Sequence, residues 1–270
     1  MSAQRSTSPA SGQAGWVAVA GLGPGGASWV TPEVSEALAE ATDVVGYRSY
    51  VARVASRVGL ALHASDNGDE LARAAFALEL AERGRRVVVV SSGDPGVFAM
   101  ASAVLEAVEA GPLRWRELDL RVLPGVSAML AAAAQAGAPL GHDFCVLNLS
   151  DNLKPWELLE RRLRLALQAD LVMALYNPRS VARPHGLSRA LELLREACAE
   201  LGGAQRPLVF ARAVCTPQQS LRVVPLSQAR ADMADMQTLV IVGSSQSRVI
   251  ERGGGTPWVY APRSAPGERR

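Results

Sequence analysis

Residues 87–96 read VVVVSSGDPG, and this short stretch decides the fold class. Val87, Val88, Val89 and Val90 form a run of β-branched side chains. Such a run reads as a strand buried on both faces, as in a parallel sheet. It stops at Ser91-Ser92-Gly93-Asp94-Pro95-Gly96, and residues 97–108 behind it read as a helix. A strand, a turn of small residues and then a helix is how an open α/β sheet builds a ligand crevice at the carboxyl ends of its strands. Gly93 and Gly96 would let backbone amides approach a ligand closely, and Asp94 offers an acceptor to a hydroxyl or amine. The same residues also read as a plain turn, since Gly, Asp and Pro are common turn formers.

The pattern recurs on either side. Residues 16–20 form an apolar strand that leads into GLGPGG at 21–26. A dinucleotide fingerprint needs GxGxxG followed at once by a helix. Here Pro24 interrupts the loop, and the helix waits for Thr31 as N-cap and Pro32 at its first position. No acidic residue closes a second strand to meet a ribose, so a nicotinamide oxidoreductase is disfavoured. Residues 43–45 are a second strand, followed by Tyr47-Arg48-Ser49-Tyr50, which reads either as a face for a flat anionic ligand or as packing on a helix. A third strand is expected at 60–64. Residues 70–82 form an amphipathic helix with Leu71, Ala75, Leu78 and Ala81 on one stripe, closed by Gly84. Residues 118–123 are the last strand of this half, before Pro124-Gly125-Val126-Ser127-Ala128 and an alanine-rich helix.

Residues 137–142 read as a linker, after which strand and helix alternate again. Strands are expected at 144–149, 171–175, 208–211, 221–224, 238–242 and 258–261. Helices are expected at 155–168, with Trp156, Leu159 and Leu163 inward, and at 185–201. The fold class is therefore α/β, with domains at 16–138 and 139–263, tails at 1–15 and 264–270, and a ligand cleft between the domains.

Composition narrows the function. A chain of 270 residues can bury two cores, and a formal charge of +2 gives no electrostatic case for nucleic acid. Lys154 is the only lysine among the basic residues. Cys145, Cys198 and Cys215 are far apart and form no metal-type pair, which suits plain thiols in a reduced cytoplasm. Residues 1–15 lack the apolar core of a signal peptide, and no apolar run is long enough to cross a bilayer.

Several blocks in order then carry a resemblance: GLGPGG, VVGYRSY, SSGDPGVFAMA, LPGVSAMLAAAA, GAPLGHDFCVLNLSD, PWELLERRL, LYNPRS and DMQTLVIVGSS. From Val17 to about Arg263 the chain resembles the tetrapyrrole methyltransferases that use S-adenosyl-L-methionine. It is most similar to the branch that methylates C(17) of precorrin-3B in cobalamin biosynthesis, with ring contraction to precorrin-4. The anaerobic counterpart, acting on cobalt-factor III, shares these motifs, and a non-catalytic tetrapyrrole carrier would keep the substrate trough. The resemblance implies two unlike α/β domains, the cofactor in the cleft between them, and a homodimer.

It also implies residue roles. Gly93, Asp94 and Val97 would hold the methionine end of the cofactor, beside Ser127 and Ala128. Tyr176, Asn177, Arg212, Ala213, Val242 and Gly243 would surround the adenosine. Gly23 and Pro24 would face the substrate, with Arg48, Arg179 and Arg183 for its carboxylates. Ring contraction moves protons on oxygen, for which Asp151, Ser150, His142, Tyr47 and Arg48 are the candidates. No metal site is expected. The sequence departs from the family at Lys154, in place of a capping Thr, at Pro95 and Phe98, and across residues 212–217.

Overall fold

A computed structural model describes residues 15–264 except 67 and 204. The expected tails lie outside the described residues, save Gly15 and Ser264. Two compact units form: one of residues up to 23 and 27–126, the other of residues 24–26 and 127 onward.

The first unit runs β1 (Trp16–Gly21), α1 (Pro32–Glu40), β2 (Asp43–Tyr47), α2 (Arg48–Val51), β3 (Ala61–Ser65), α3 (Glu70–Glu82), β4 (Arg86–Ser91), α4 (Met100–Ala110) and β5 (Asp119–Leu123). Its sheet has the order β3-β2-β4-β1-β5, and every pairing is parallel. The four valines of β4 lie between β1 and β2 and are wholly buried. Val87 and Val89 pack with α3 and α4, while Val88 and Val90 pack with α1 on the opposite face. That two-sided burial is why the strand shows no polar alternation. In register, Gly21 lies opposite Ser91, and Ala20 opposite both Val90 and Leu123. The loops that follow β1, β2, β4 and β5 therefore open at one edge of the sheet.

Thr31 caps α1 as the sequence implies, its Oγ1 accepting the Val34 N–H at 3.3 Å. Three readings need correction. On α3 the buried residues are Arg73, Ala74, Ala77, Leu78 and Ala81, whereas Leu71 is exposed. Arg73 can be buried because its guanidinium donates to Ser65 Oγ (2.8 Å), the Asp66 carbonyl (2.7 Å) and Met100 Sδ (3.4 Å). α4 begins at Met100 and not at Val97, because Phe98 has left-handed backbone (φ 53°) and Ala99 is extended. The expected linker contains β6 (Gly137–Ala138), which pairs with β13 (Trp258–Tyr260). Gly137 sits at φ 123°, and a Cβ there would stand 2.7 Å from the Val259 carbonyl oxygen.

The second unit runs α5 (Ala128–Ala136), β6, β7 (Phe144–Asn148), α6 (Trp156–Gln168), β8 (Val172–Tyr176), α7 (Gly186–Glu200), β9 (Pro207–Arg212), β10 (Ser220–Pro225), β11 (Thr238–Val242), β12 (Arg248–Ile250) and β13. Its five-stranded sheet has the order β10-β9-β11-β8-β7, with only β7 and β8 pairing in parallel. Trp156, Leu159 and Leu163 of α6 are buried with Leu187, Leu191 and Leu194 of α7. β12 escapes sequence reading because all three of its residues are exposed. Among the described residues no helix is long and apolar enough to cross a membrane.

At the opposite edge from the first unit's loops, Asp43 ties three strands together. It is 2% exposed and meets His63 Nε2 at 2.9 Å, while Arg85 Nε and Thr42 Oγ1 each donate to it at 2.7 Å. Burial alone would raise its pKa, but the bonds from Arg85, His63 and Thr42 hold it below the ordinary carboxylate value. A depressed folded pKa stabilises the protein above the unfolded value of about 3.9 and loses that contribution as pH falls through the folded value. Asp43→Asn should therefore lower stability by about 1–3 kcal/mol near neutral pH, where a buried charge-assisted bond is lost. Urea unfolding should show that gap narrowing below about pH 4. A gap unchanged by acidification would contradict this role for Asp43.

Candidate functional site

In the first unit, three strand-end loops meet through backbone alone. Gly23 and Gly93 exchange N–H···O bonds of 3.1 Å each, and Gly93 sits at φ 65°. A Cβ on Gly21 would stand 2.5 Å from the Gly93 oxygen and 2.8 Å from Gly125 Cα. A Cβ on Gly125 would stand 2.3 Å from that same oxygen. No side chain fits at Gly21 or Gly125, so both require glycine for steric reasons, and the positive φ of Gly93 favours glycine there.

Asp94 locks the arrangement. Its Oδ1 accepts the Gly96 N–H at 2.8 Å, and its Oδ2 accepts the Gly125 N–H at 3.0 Å. The sequence reading offered Asp94 as an acceptor for a ligand; here both oxygens also serve the protein's own loops. The Val97 N–H closes the turn onto the Asp94 carbonyl at 3.3 Å. Arg53, which sequence reading missed, donates to the carbonyls of Gly23 (3.0 Å) and Leu22 (2.5 Å) and so supports the glycine loop from beneath. At the end of β2, Tyr47 and Tyr50 pack edge to face at 5.3 Å. Arg48 forms an exposed pair with Asp66 at 3.2 Å.

In the second unit, strand direction sorts the candidates. β7, β8 and β9 run one way and β10 and β11 the other, so one edge carries the ends of β7, β8 and β9 with the starts of β10 and β11. Ser150, Asp151, Tyr176, Asn177, Arg212 and Ala213 follow or end strands at this edge. Val242 pairs with Met173 and Leu208, near the starts of β8 and β9. Val242 and Gly243 are therefore about 13 Å along the strand from the Arg212 end, at ~3.3 Å per residue. They do not join the others. The apolar run 238–242 reveals a strand but not its direction, and the residues that β11 brings to the site edge are Asp235, Gln237 and Thr238. His142 precedes β7 and lies toward the other edge for the same reason. Its Nδ1 accepts the Asp143 N–H at 2.7 Å.

Side-chain bonds link the residues that do converge. The Tyr176 hydroxyl lies 2.5 Å from Ser127 Oγ and accepts the Met129 N–H at 3.1 Å, so it caps the start of α5 in place of Ser127. Ala128 is the first residue of that helix. Asn148, absent from the expected set, accepts from Asn177 Nδ2 (3.0 Å) and from the Ser150 N–H (2.8 Å). Asn177 and Ala213 hold left-handed backbone, with φ of 51° and 45°. The Arg183 guanidinium donates to Ser150 Oγ, beside exposed Asp151.

Arg212 pairs with Asp235 at 2.7 Å. Burial pushes the Asp235 carboxyl up, but bonds from Thr238, Arg212 and Gln237 bring it below its usual value. Arg179 acts on Asp232, whose carboxyl is held down first by its bond from Arg230 and also by the Arg179 charge. At α6 the cap position falls on Pro155, not Lys154, and it makes no side-chain cap bond.

Gly21, Gly93 and Gly125 bring three backbone segments into direct contact: a Cβ on Gly21 or Gly125 would meet backbone, and Gly93 holds left-handed backbone. At the site edge of the second unit, amide and hydroxyl groups are fixed by their neighbours. Such a set binds and orients; it contains no nucleophile–base pair of the kind covalent catalysis uses.

The family pattern of Tetrapyrrole (Corrin/Porphyrin) Methylases matches residues 17–230. The chain is 51% identical to the precorrin-3B C(17)-methyltransferase of Sinorhizobium sp, over 92% of this chain and 96% of that protein. It is 38% identical to the probable cobalt-factor III C(17)-methyltransferase of Salmonella typhimurium, over 86% of this chain and 94% of the relative. Among solved structures it superposes on the methyltransferase CobJ with a TM-score of 0.86 and 62% identity, covering 92% of this chain and all of that one. These matches span both units. The chain belongs to the tetrapyrrole (corrin/porphyrin) methylases.

Proposed function

We propose that this protein transfers a methyl group from S-adenosyl-L-methionine to C(17) of precorrin-3B, contracting the ring to give precorrin-4, as a cytoplasmic homodimer. The observation that carries the reading is 51% identity, over nearly the full length of both chains, to a protein with that named activity. Identity to the cobalt-factor III relatives is lower, at 38% and 34%. This favours the metal-free substrate.

The bound donor supplies a methyl carbon that its sulfonium already makes electrophilic. What remains for the chain is alignment and exclusion of water. The glycine floor holds the donor's amino-acid end against backbone, and Asp94 keeps the 91–96 and 124–126 loops in register. Tyr176 fixes Ser127 and Ala128 through its hydroxyl. Arg212 and Ala213, stiffened by Asp235 and Gln237, flank the adenosine together with Asn177. Gly23 and Pro24 face the ring, and Arg48 and Arg179 reach toward its carboxylates.

Ring contraction needs a proton taken from oxygen as the bridging carbon is expelled into an acetyl group. Asp151 is the base in this reading, with Ser150 and Arg183 beside it. His142 drops out, since it lies toward the far edge of its sheet.

Purified protein given S-adenosyl-L-methionine and precorrin-3B should methylate the ring and release one demethylated donor per ring. With Asp151→Asn, methylated but uncontracted ring should accumulate, visible by mass and by absorbance, because donor alignment is untouched. Normal contraction in that variant would remove Asp151 from the chemistry. A strong preference for cobalt-factor III would reassign the substrate, and tight binding with no methyl transferred would leave a carrier. Light scattering should report twice the 28.5 kDa chain mass; a monomer at working concentration would contradict the dimer.

A further inference from the structure

Next to the Asn148–Tyr176 edge, the second unit holds a cavity of about 210 Å³ lined by Asp151, Trp156, Arg183, His185, Gly186 and Arg189. We propose that this cavity is a carboxylate subsite that takes one acidic side chain of the tetrapyrrole. The proposal rests on the methyltransferase reading above, and it adds Trp156, His185 and Arg189 to residues already considered for the substrate.

Size and charge both fit. At roughly 30 Å³ of liquid per water, the space exceeds a single solvent molecule several-fold and admits a short carboxylate arm with some of its hydration. Two guanidinium groups and an imidazole face one carboxylate, Asp151. Among the described residues, neither Arg183 nor Arg189 lies within ion-pair distance of a carboxylate. Both keep N–H donors for an incoming anion. Arg183 uses one nitrogen on Ser150 Oγ. The Arg189 guanidinium carbon lies over the Trp156 ring, 4.2 Å from its centroid, and a guanidinium held there can offer a carboxylate its planar fork of N–H donors.

The surroundings reinforce the sign. Burial, followed by the charges of Arg162 and Arg183, pushes the Lys154 ammonium below its ordinary pKa, against a smaller opposing pull from Asp151. The field at this end of α6 is therefore cationic. The Trp156 ring, 8% exposed, gives the methylene part of such an arm an apolar wall. Acetate and propionate arms are what a precorrin presents around its rim, so recognition there would select register on the ring without touching the methyl donor.

The test is titration with uroporphyrin III, a tetrapyrrole octacarboxylate, followed through its main absorption band. Arg189→Gln should weaken binding about tenfold, as for loss of a bidentate carboxylate contact, and Arg183→Gln with Arg189→Gln should weaken it further. Arg189→Lys, which keeps the charge but not the planar fork, should recover only part of the loss. Affinity for S-adenosylhomocysteine and the thermal melt report whether each variant is folded. In turnover of Arg189→Gln, the KM for precorrin-3B should rise by a similar factor while kcat changes by less than about twofold, the pattern of lost uniform binding. A folded double variant that binds uroporphyrin III as tightly as the unmodified protein would overturn the subsite. Unmodified protein that transfers no methyl would instead overturn the functional reading, so the two failures are distinguishable.

Discussion

Backbone-to-backbone contact at Gly21, Gly93 and Gly125 is the constraint on which the arrangement of the first unit's strand-end loops depends. β1, β4 and β5 are parallel neighbours, so their following loops are forced to the same edge. Loops that crowd there ordinarily hold each other apart with side chains. These have glycine at the contact points, and Asp94 draws two of the loops together by accepting the Gly125 N–H while its other oxygen accepts the Gly96 N–H of its own loop. The result is a floor of peptide groups. Its rigidity comes from sterics and hydrogen bonds.

The second unit meets the same need differently. Its sheet is mixed, and the site edge is built from the ends of three strands and the starts of two. Polar side chains do the fixing there: Tyr176 on Ser127, Asn148 on Asn177 and Ser150, and Asp235 on Arg212. Left-handed backbone at Asn177 and Ala213 persists because neighbouring bonds hold it, including the Ala213 N–H on the Gln237 carbonyl at 2.9 Å. A reaction limited by alignment suits such fixed groups.

What was legible in the sequence was local. The four-valine run, the Thr31 cap and the glycine loops follow from neighbours within a few residues, and each can be read without a partner. What depends on distant partners was not legible. The direction of β11 is set by pairing with β8 and β9, and it puts Val242 and Gly243, which the resemblance placed at the adenosine, away from Arg212, with Gln237 and Thr238 at the Arg212 edge. The pairing of β6 with β13 joins segments some 120 residues apart, and two residues at 137–138 carry no strand signal of their own. Arg73 is buried only because Ser65, Asp66 and Met100 satisfy it. Asn148 and Arg53 serve the site through hydrogen bonds that leave no pattern in spacing. The blocks shared with the tetrapyrrole methyltransferases supplied the functional class, which periodicity alone did not.

The central claim is that the peptide floor of the first unit holds the methyl donor, and calorimetric titration with S-adenosylhomocysteine tests it most directly. The unmodified protein should bind with a constant near micromolar, about −8 kcal/mol. Gly125→Ala places a methyl 2.3 Å from the Gly93 carbonyl oxygen, so the 93 and 125 backbones must move apart. It should weaken binding by more than about tenfold, or roughly 1.4 kcal/mol, in a protein that still melts cooperatively. Unchanged affinity in folded Gly125→Ala, or heat released with NADH and none with S-adenosylhomocysteine, would contradict the account.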